Sequence, residues 1–351
     1  MKKIFISMAL VILGLQFGHA QEKVSLPNAH APLGVMGDHA HNKGEWMVSY
    51  RYMHMTMDGN RNGTDDLDDS FIATTVPNRF SGMDMMPPTL RVVPQDMTMD
   101  MHMLGVMYAP TDKLTLMAMV PYVVRDMTLT TYQGGMGSEV LGNFNTSSSG
   151  LGDVKISGIY KITSAFRGTL GVSIPTGSVE ETDEVLTPMN MRNEMRLPYA
   201  MQNGTGTWDL LPGLTYSKSS EQTGYGVQAK AILPLADNSE GYKRGNRVEA
   251  TAWGSYNIKR WVSFSLRAQY AHEADIDGID DEIMAPVQTA NPDYYGGSWI
   301  NGFTGLNFIG QSGIVKNHRL AVEWGAPFYQ DLNGPQMKAK STLIIGWQYA
   351  F

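Results

Sequence analysis

The chain has 351 residues, with 27 Lys or Arg against 34 Asp or Glu, and its formal charge of −7 offers nucleic acid no basic surface. It contains no cysteine, which excludes disulfides, thiolate metal centres and cysteine nucleophiles. No run of 18 apolar residues occurs after the N-terminus, so no membrane-crossing helix is expected, while alternation of period two recurs from residue 46 onward.

In chain order, residues 1–20 read as a secretory signal. Lys2 and Lys3 are the basic start, "IFISMALVILGLQF" is the apolar middle, and "GHA" before Gln21 is a small-x-small cleavage site. Removing the signal takes Lys2 and Lys3 with it and leaves 25 basic against 34 acidic residues. With no Cys after the cleavage site, no lipid anchor is expected. Residues 21–45 form a periplasmic N-terminal segment or a plug, and residues 46–351 carry the alternation.

Twelve strands are expected, near 46–57, 97–109, 113–130, 151–162, 167–177, 207–217, 224–235, 247–258, 261–272, 299–309, 318–329 and 340–351. In 261–271, for example, Val262, Phe264, Leu266, Ala268 and Tyr270 oppose Ser263, Ser265, Arg267 and Gln269. A cation at the bilayer midplane costs roughly 2–4 kcal/mol, so the charged face must meet water. A sheet crossing a bilayer satisfies all its backbone groups only when closed. A soluble β-sandwich also alternates, but it needs neither a signal nor so many aromatics on the apolar face. The expectation is therefore a 12-stranded antiparallel transmembrane β-barrel of outer-membrane type. Short turns such as "APTD", "TSAF" and "IKR" alternate with long Asp-, Gly- and Pro-rich loops. That places both termini on the periplasmic side and the long loops outside. The end, "STLIIGWQYAF", resembles the terminal strand that the outer-membrane assembly machinery recognises. Lipid, lipopolysaccharide and that machinery are the expected partners.

Two motifs narrow the family. "SGLGDVKISGIYKI" (149–162) and "GVSIPTGS" (171–178) resemble the Gly-Asp strand start and Pro-Thr-Gly strand end of bacterial outer-membrane barrels labelled as transporters of the phenol meta-degradation pathway. That family is loosely similar to the long-chain fatty-acid transporters. The resemblance implies a channel for a small solute. The methionine-rich first third departs from what it implies for aromatic hydrocarbons.

Seventeen of the 25 methionines lie between residues 36 and 136. Alternation places Met53, Met55 and Met57 on the Arg51 side of the first strand, and Met101, Met103 and Met107 inward on the second, continued upward by Met97 and Met99. Met117, Met119, Arg125 and Met127 point inward on the third. A thioether is polarizable and has no proton to lose, which suits Cu(I) and Ag(I). His54, His102, His39 and His41 lie close by in sequence and could extend binding to Cu(II). The competing reading is that methionine is an adaptable hydrophobe packing a plug or lining a greasy path. Separately, "DGNRNGTDDLDD" (58–69) matches the spacing of a calcium loop at Asp58, Asn60, Asn62, Thr64, Asp66 and Asp69, with Asp where the last position favours Glu. No cofactor is required by any motif; copper, silver and calcium are the candidate ions.

The lumen is expected to carry both signs, among them Arg51, Arg125, Lys155, Lys230, Glu249, Arg267, Arg319 and Glu323. No G-x-S-x-G or nucleotide-loop motif occurs, and neither His272 nor His318 has an identifiable Ser partner, so an enzyme is not expected. The leading reading is a channel with a methionine-lined wall. The alternatives are a Cu(I)- or Ag(I)-binding barrel for tolerance or transport, and a structural or adhesive barrel.

Overall fold

Successive side chains of a pleated strand point to opposite faces, and here that alternation closes a sheet on itself. The computed structural model describes residues 26–351, and the expected secretory signal lies outside the described residues. The long strands are β1 (Trp46–Gly63), β2 (Val92–Tyr108), β3 (Leu114–Tyr132), β4 (Val140–Leu151), β5 (Val154–Lys161) and β6 (Phe166–Ile174). They continue as β7 (Asp209–Ser219), β8 (Thr223–Pro234), β9 (Arg247–Lys259), β10 (Val262–Glu273), β11 (Gly297–Ile309) and β12 (His318–Ala350). All pairings are antiparallel and follow sequence order except that β3 pairs with both β4 and β5, and β12 returns to β1 with Met47 opposite Ala350 and Tyr52 opposite Ile345. The result is an all-β, closed, antiparallel barrel with eleven strands in the hydrogen-bonded ring and β4 off it, paired to β3.

The expected count of twelve differs in two places. The expected strands 318–329 and 340–351 are joined in β12, whose residues 319–332 pair with β11 and residues 332–350 with β1. The chain reverses between those halves at Gly334, whose φ of +85° a glycine adopts without steric cost. The expected strand 151–162 is found as β5, and β4 is an additional strand in the stretch expected to be a loop. β3 pairs with β5 through Leu114–Met119 and with β4 through Tyr122–Tyr132, and the switch falls at Pro121. Proline has no N–H for a ladder; its carbonyl accepts the Gly152 N–H at 2.9 Å.

Parity runs as the alternation requires. Leu104, Leu116 and Leu266 are about half exposed on the outer face, at 45%, 45% and 58%, whereas Met107, Met117 and Met119 are buried inside. Short connections close one rim, and long ones crowd the other. There Tyr199, Tyr242, Leu186, Leu197 and Ile283 from different loops form a buried apolar core.

Residues 26–45 lie inside the bore. The Asn28 N–H donates to Asn257 Oδ1 (3.1 Å), the Gly34 N–H to Glu323 Oε2 (2.7 Å) and the His41 N–H to Thr115 Oγ1 (2.9 Å). Arg319 donates to the Ala31 carbonyl at 2.6 Å. These partners sit on β9, β12 and β3, so the segment is held from several sides at once. Leu33 packs on Ala321 and Ile344, and Val35 on Trp253.

Candidate functional site

Paired residues of neighbouring strands share a face, so the register turns the methionines into rows. Met53 faces Met101, Met55 faces Met99 and Met57 faces Met97, while Met97 in turn faces Met127. Near the short-turn rim, Met47 faces Met107 and Met107 faces Met117. One row, Met57–Met97–Met127, therefore lies high in the barrel and another, Met47–Met107–Met117, lies low.

The upper row meets the loop core. Met97 and Met127 are buried there with Phe144 and Leu186. Beside them is a cavity of about 560 Å³ lined by Met127, Leu129, Phe144, Leu186, Leu197 and Val287, with few polar groups. Its rim includes Met85, Met189 and Met191, all well exposed. Apolar side chains presented together to the outside of a protein mark a binding surface more often than chance.

This cavity adjoins the split in the wall. β4 supplies Phe144 and Thr146 to its lining, and β6 ends at Ile174, below the level of β4. The two motifs noted in the sequence meet at that point. The Asp153 carboxylate accepts the Gly177 N–H (3.0 Å), the Thr205 N–H (2.8 Å) and the Thr205 hydroxyl (2.9 Å). The Thr176 hydroxyl donates to the Gly152 carbonyl at 2.8 Å and accepts the Val154 N–H at 3.0 Å. A Cβ on Gly177 would stand 2.6 Å from the Gly204 Cα, so the two loops cross backbone to backbone. The motifs thus fasten the place where one wall strand stops and the next begins.

The lower row meets the plug instead. Met47, Met107, Met117 and Met119 are buried together, with Met36 and Met103 packed against them. A void of about 20 Å³ lies between these sulfurs and Asp38 and His39. His39 Nδ1 is 2.8 Å from Asp38 Oδ1, and the other carboxylate oxygen accepts the Ala31 N–H at 2.8 Å. His30 and His41 stand edge-on to His39, with ring centroids 4.9 Å away on either side. Burial pushes the His41 imidazole down to about 4, which keeps it neutral at ordinary pH.

The expected lumen charges all lie on the inner face. Arg267 and Glu323 form a buried ion pair at 2.7 Å, and Arg267 also covers the Phe303 ring at 3.7 Å. Lys230 and Arg247 both reach Glu249 at 2.8 Å. Arg125 donates to Asn203 Oδ1 at 2.9 Å, Lys155 stands opposite Met119, and Arg51 borders the lower void. Two of these charges hold the plug: Glu323 and Arg319 bind its backbone directly.

Two expectations are corrected by geometry. His54 and His102 do not join the methionines, because they share the parity of Tyr50 and Tyr52 and face outward. There Tyr52 donates to Asp100 at 2.6 Å, His54 Nδ1 lies 2.7 Å from the same oxygen, and Tyr50 Oη lies 2.7 Å from His102 Nδ1. The segment 58–69 does not gather its oxygens as a calcium loop does. It is a hairpin, with Asn60, Arg61 and Asn62 paired to Leu67, Asp66 and Asp65 around Thr64. Asp58 is held by Lys340 (2.7 Å), Asp66 by Arg61 (2.6 Å) and Lys338 (2.7 Å), and Asp69 accepts from the Asn60 amide (3.2 Å). Sequence reasoning missed Asp38 as the partner of His39, and Phe144, Leu186 and Leu197 as cavity walls. Asp38 had a local signal, an acid next to a histidine; the other three stand in stretches whose positions depend on loop packing.

With this geometry in place, comparison with known proteins adds the following. The family model described as putative MetA-pathway of phenol degradation matches residues 89–292. The COG4313 outer membrane channel from Pseudomonas putida F1 is 15% identical, with 91% of this chain and 100% of that chain covered at a TM-score of 0.55. The toluene transporter TbuX of Ralstonia pickettii is 12% identical over 89% and 90% of the two chains at 0.47. A FadL homologue of Pseudomonas aeruginosa is 9% identical over 88% and 90% at 0.44. Only the first of these is close enough to bear on the fold. No curated protein sequence resembles the chain.

Proposed function

Since the chain belongs to the family described as putative MetA-pathway of phenol degradation, we propose that it is an outer-membrane channel for small hydrophobic solutes. The observation that carries this reading is the upper cavity. Its volume of about 560 Å³ falls within the roughly 300–1,000 Å³ of small-molecule sites. Its walls are Met, Leu, Phe and Val, which recognise shape and apolarity rather than charge. A solute is captured at the exposed Met85, Met189 and Met191 rim, rests beside Met127 and Phe144, and leaves where the wall is split between β4 and β5. The plug, tied to Arg319 and Glu323, closes the bore below that point, which favours a path through the wall over a water-filled pore.

The remaining topology fits the same picture. Taking the two halves of β12 as separate staves gives twelve, and even parity suits a single-chain bacterial barrel. Both termini then face the periplasm, and the long loops meet lipopolysaccharide. The exposed outer residues, Leu116, Leu170 and Leu266 among them, supply the lipid-facing belt. The terminal face of Ile345, Trp347, Tyr349 and Phe351 is the segment offered to the assembly machinery.

The test is uptake of a radiolabelled monoaromatic hydrocarbon at low concentration by cells with and without the barrel. The channel reading requires faster uptake with the barrel and little single-channel conductance for ions. Equal uptake in both strains would leave the adhesive reading in its place.

A further inference from the structure

We propose that the plug carries a copper site, formed by His30, Asp38 and His39 with His41 adjoining, on the floor of the lower methionine row. His30, Asp38 and His39 each bring one donor atom within 4.8 Å of the others. They come from two short stretches of the plug that fold back on one another inside the barrel, an arrangement no surface loop needs.

The hydrogen bonding prepares the imidazoles for a metal. His39 turns Nδ1 to Asp38, and His41 Nδ1 lies 3.4 Å from Glu45 Oε2. In each ring this leaves Nε2 as the free donor. Both Nε2 atoms are buried without a hydrogen-bond partner among the described residues, and the His41 side chain is only 8% exposed. A carboxylate on one imidazole nitrogen with the other directed to a metal is the usual way a protein fixes the tautomer and orientation of a histidine ligand. A buried polar atom without a partner is otherwise disfavoured, and one of these two belongs to His39, which lines the void beside the lower methionines.

The surroundings select the kind of ion. Arg51 and Arg319 both act electrostatically on Asp38 and offset its charge, and Glu323 is already paired with Arg267, so a hard cation such as Ca²⁺ gains little. Imidazole nitrogens beside thioether sulfurs, with a single carboxylate, are what distinguish the site. The void of about 20 Å³ between Asp38, His39, Met36, Met107 and Met117 has room for about one water-sized occupant. Imidazole favours Cu(II) among the divalent first-row ions, and thioethers favour Cu(I). Both donor types border this void, and copper is the ion that uses both. The site is separate from the upper cavity and does not depend on which solute that cavity takes.

Metal-stripped, full-length barrel in detergent is titrated with Cu(II), and in a separate arm with Zn(II). One Cu(II) per chain is expected, with nitrogen hyperfine structure in its electron paramagnetic resonance spectrum, and weaker binding of Zn(II). The double variant His30→Gln/His39→Gln should weaken Cu(II) binding at least a hundredfold, while His54→Gln/His102→Gln on the outer face leaves it unchanged. Binding that survives the plug variant, or that disappears with the outer-face variant, overturns the proposal. Because a plug substitution can unseat residues 26–45, the copper K-edge absorption of the wild-type barrel is read as well. Imidazole outer-shell scattering supports the site, and its absence refutes it whatever the variants do.

Discussion

Met127 and Met117 sit on the same strand, ten residues apart, with the same parity, and both are buried. Yet they belong to different chemistries. Met127 packs with Phe144, Leu186 and Leu197 beneath loops that contribute almost only apolar atoms. Met117 packs with Met47, Met107 and Met119 against a segment that brings Asp38 and His39. A methionine ladder is thus not one site. Strand parity decides that the sulfurs face inward, and whatever the rest of the chain places opposite them decides what they meet.

The contrast can be broken from the plug side first, with the largest effect. Glu323→Gln removes the charge paired with buried Arg267 and weakens the acceptor for the Gly34 N–H. Breaking a buried ion pair by removing one partner costs about 3–5 kcal/mol. A lower unfolding temperature in heat-modifiability gels and a rise in ion conductance as the plug loosens are the expected outcomes. A variant as tight and as stable as wild type would mean that the plug is held elsewhere. Gly34→Ala sharpens the same point without touching a charge. Its Cβ would stand 2.8 Å from Glu323 Oε2 and closer still to the Arg267 guanidinium. Residues 26–45 should then become accessible to protease in the intact barrel.

The upper region is tested at its fastening. Asp153→Ala takes the acceptor from three hydrogen bonds at 2.8–3.0 Å and leaves two N–H groups to find water. Each such group left unsatisfied costs about 1–3 kcal/mol. Because the anchor lies at the wall split, uptake of an apolar solute should change more than ion conductance does, as read by the two assays side by side. The smallest effect is expected from Met117→Leu. A swap that conserves volume costs less than about 1.5 kcal/mol, so stability and apolar uptake should stay near wild type. A large loss of uptake would show that the two methionine regions are not separable.

Much of this architecture is legible in the alternation. Which faces meet lipid, which methionines point inward and where the short turns fall all follow from a period of two, because a strand leaves a side chain only two directions. The outward placement of His54 and His102 was legible on the same rule, since they share parity with Tyr52 and Tyr50; nearness in sequence to methionine was a poorer guide. The split at Pro121 and Gly152 was not legible, because it depends on which of two strands β3 pairs with at each height. The cavity was not legible either. Phe144, Leu186 and Leu197 converge through loop packing, which has no period. The calcium spacing was present in 58–69, but Lys338, Lys340 and Arg61 reach the acids first, and two of those cations come from the far end of the chain.

The most direct measurement is equilibrium binding of an apolar fluorescent probe to the purified barrel, compared between wild type, Phe144→Asp and Met117→Leu. A charge beside Met127 should lower affinity at least tenfold by placing a carboxylate against the apolar walls, while Met117→Leu binds as wild type does. Equal affinity in Phe144→Asp, with the barrel folded, would contradict the upper cavity as the place where solute is held.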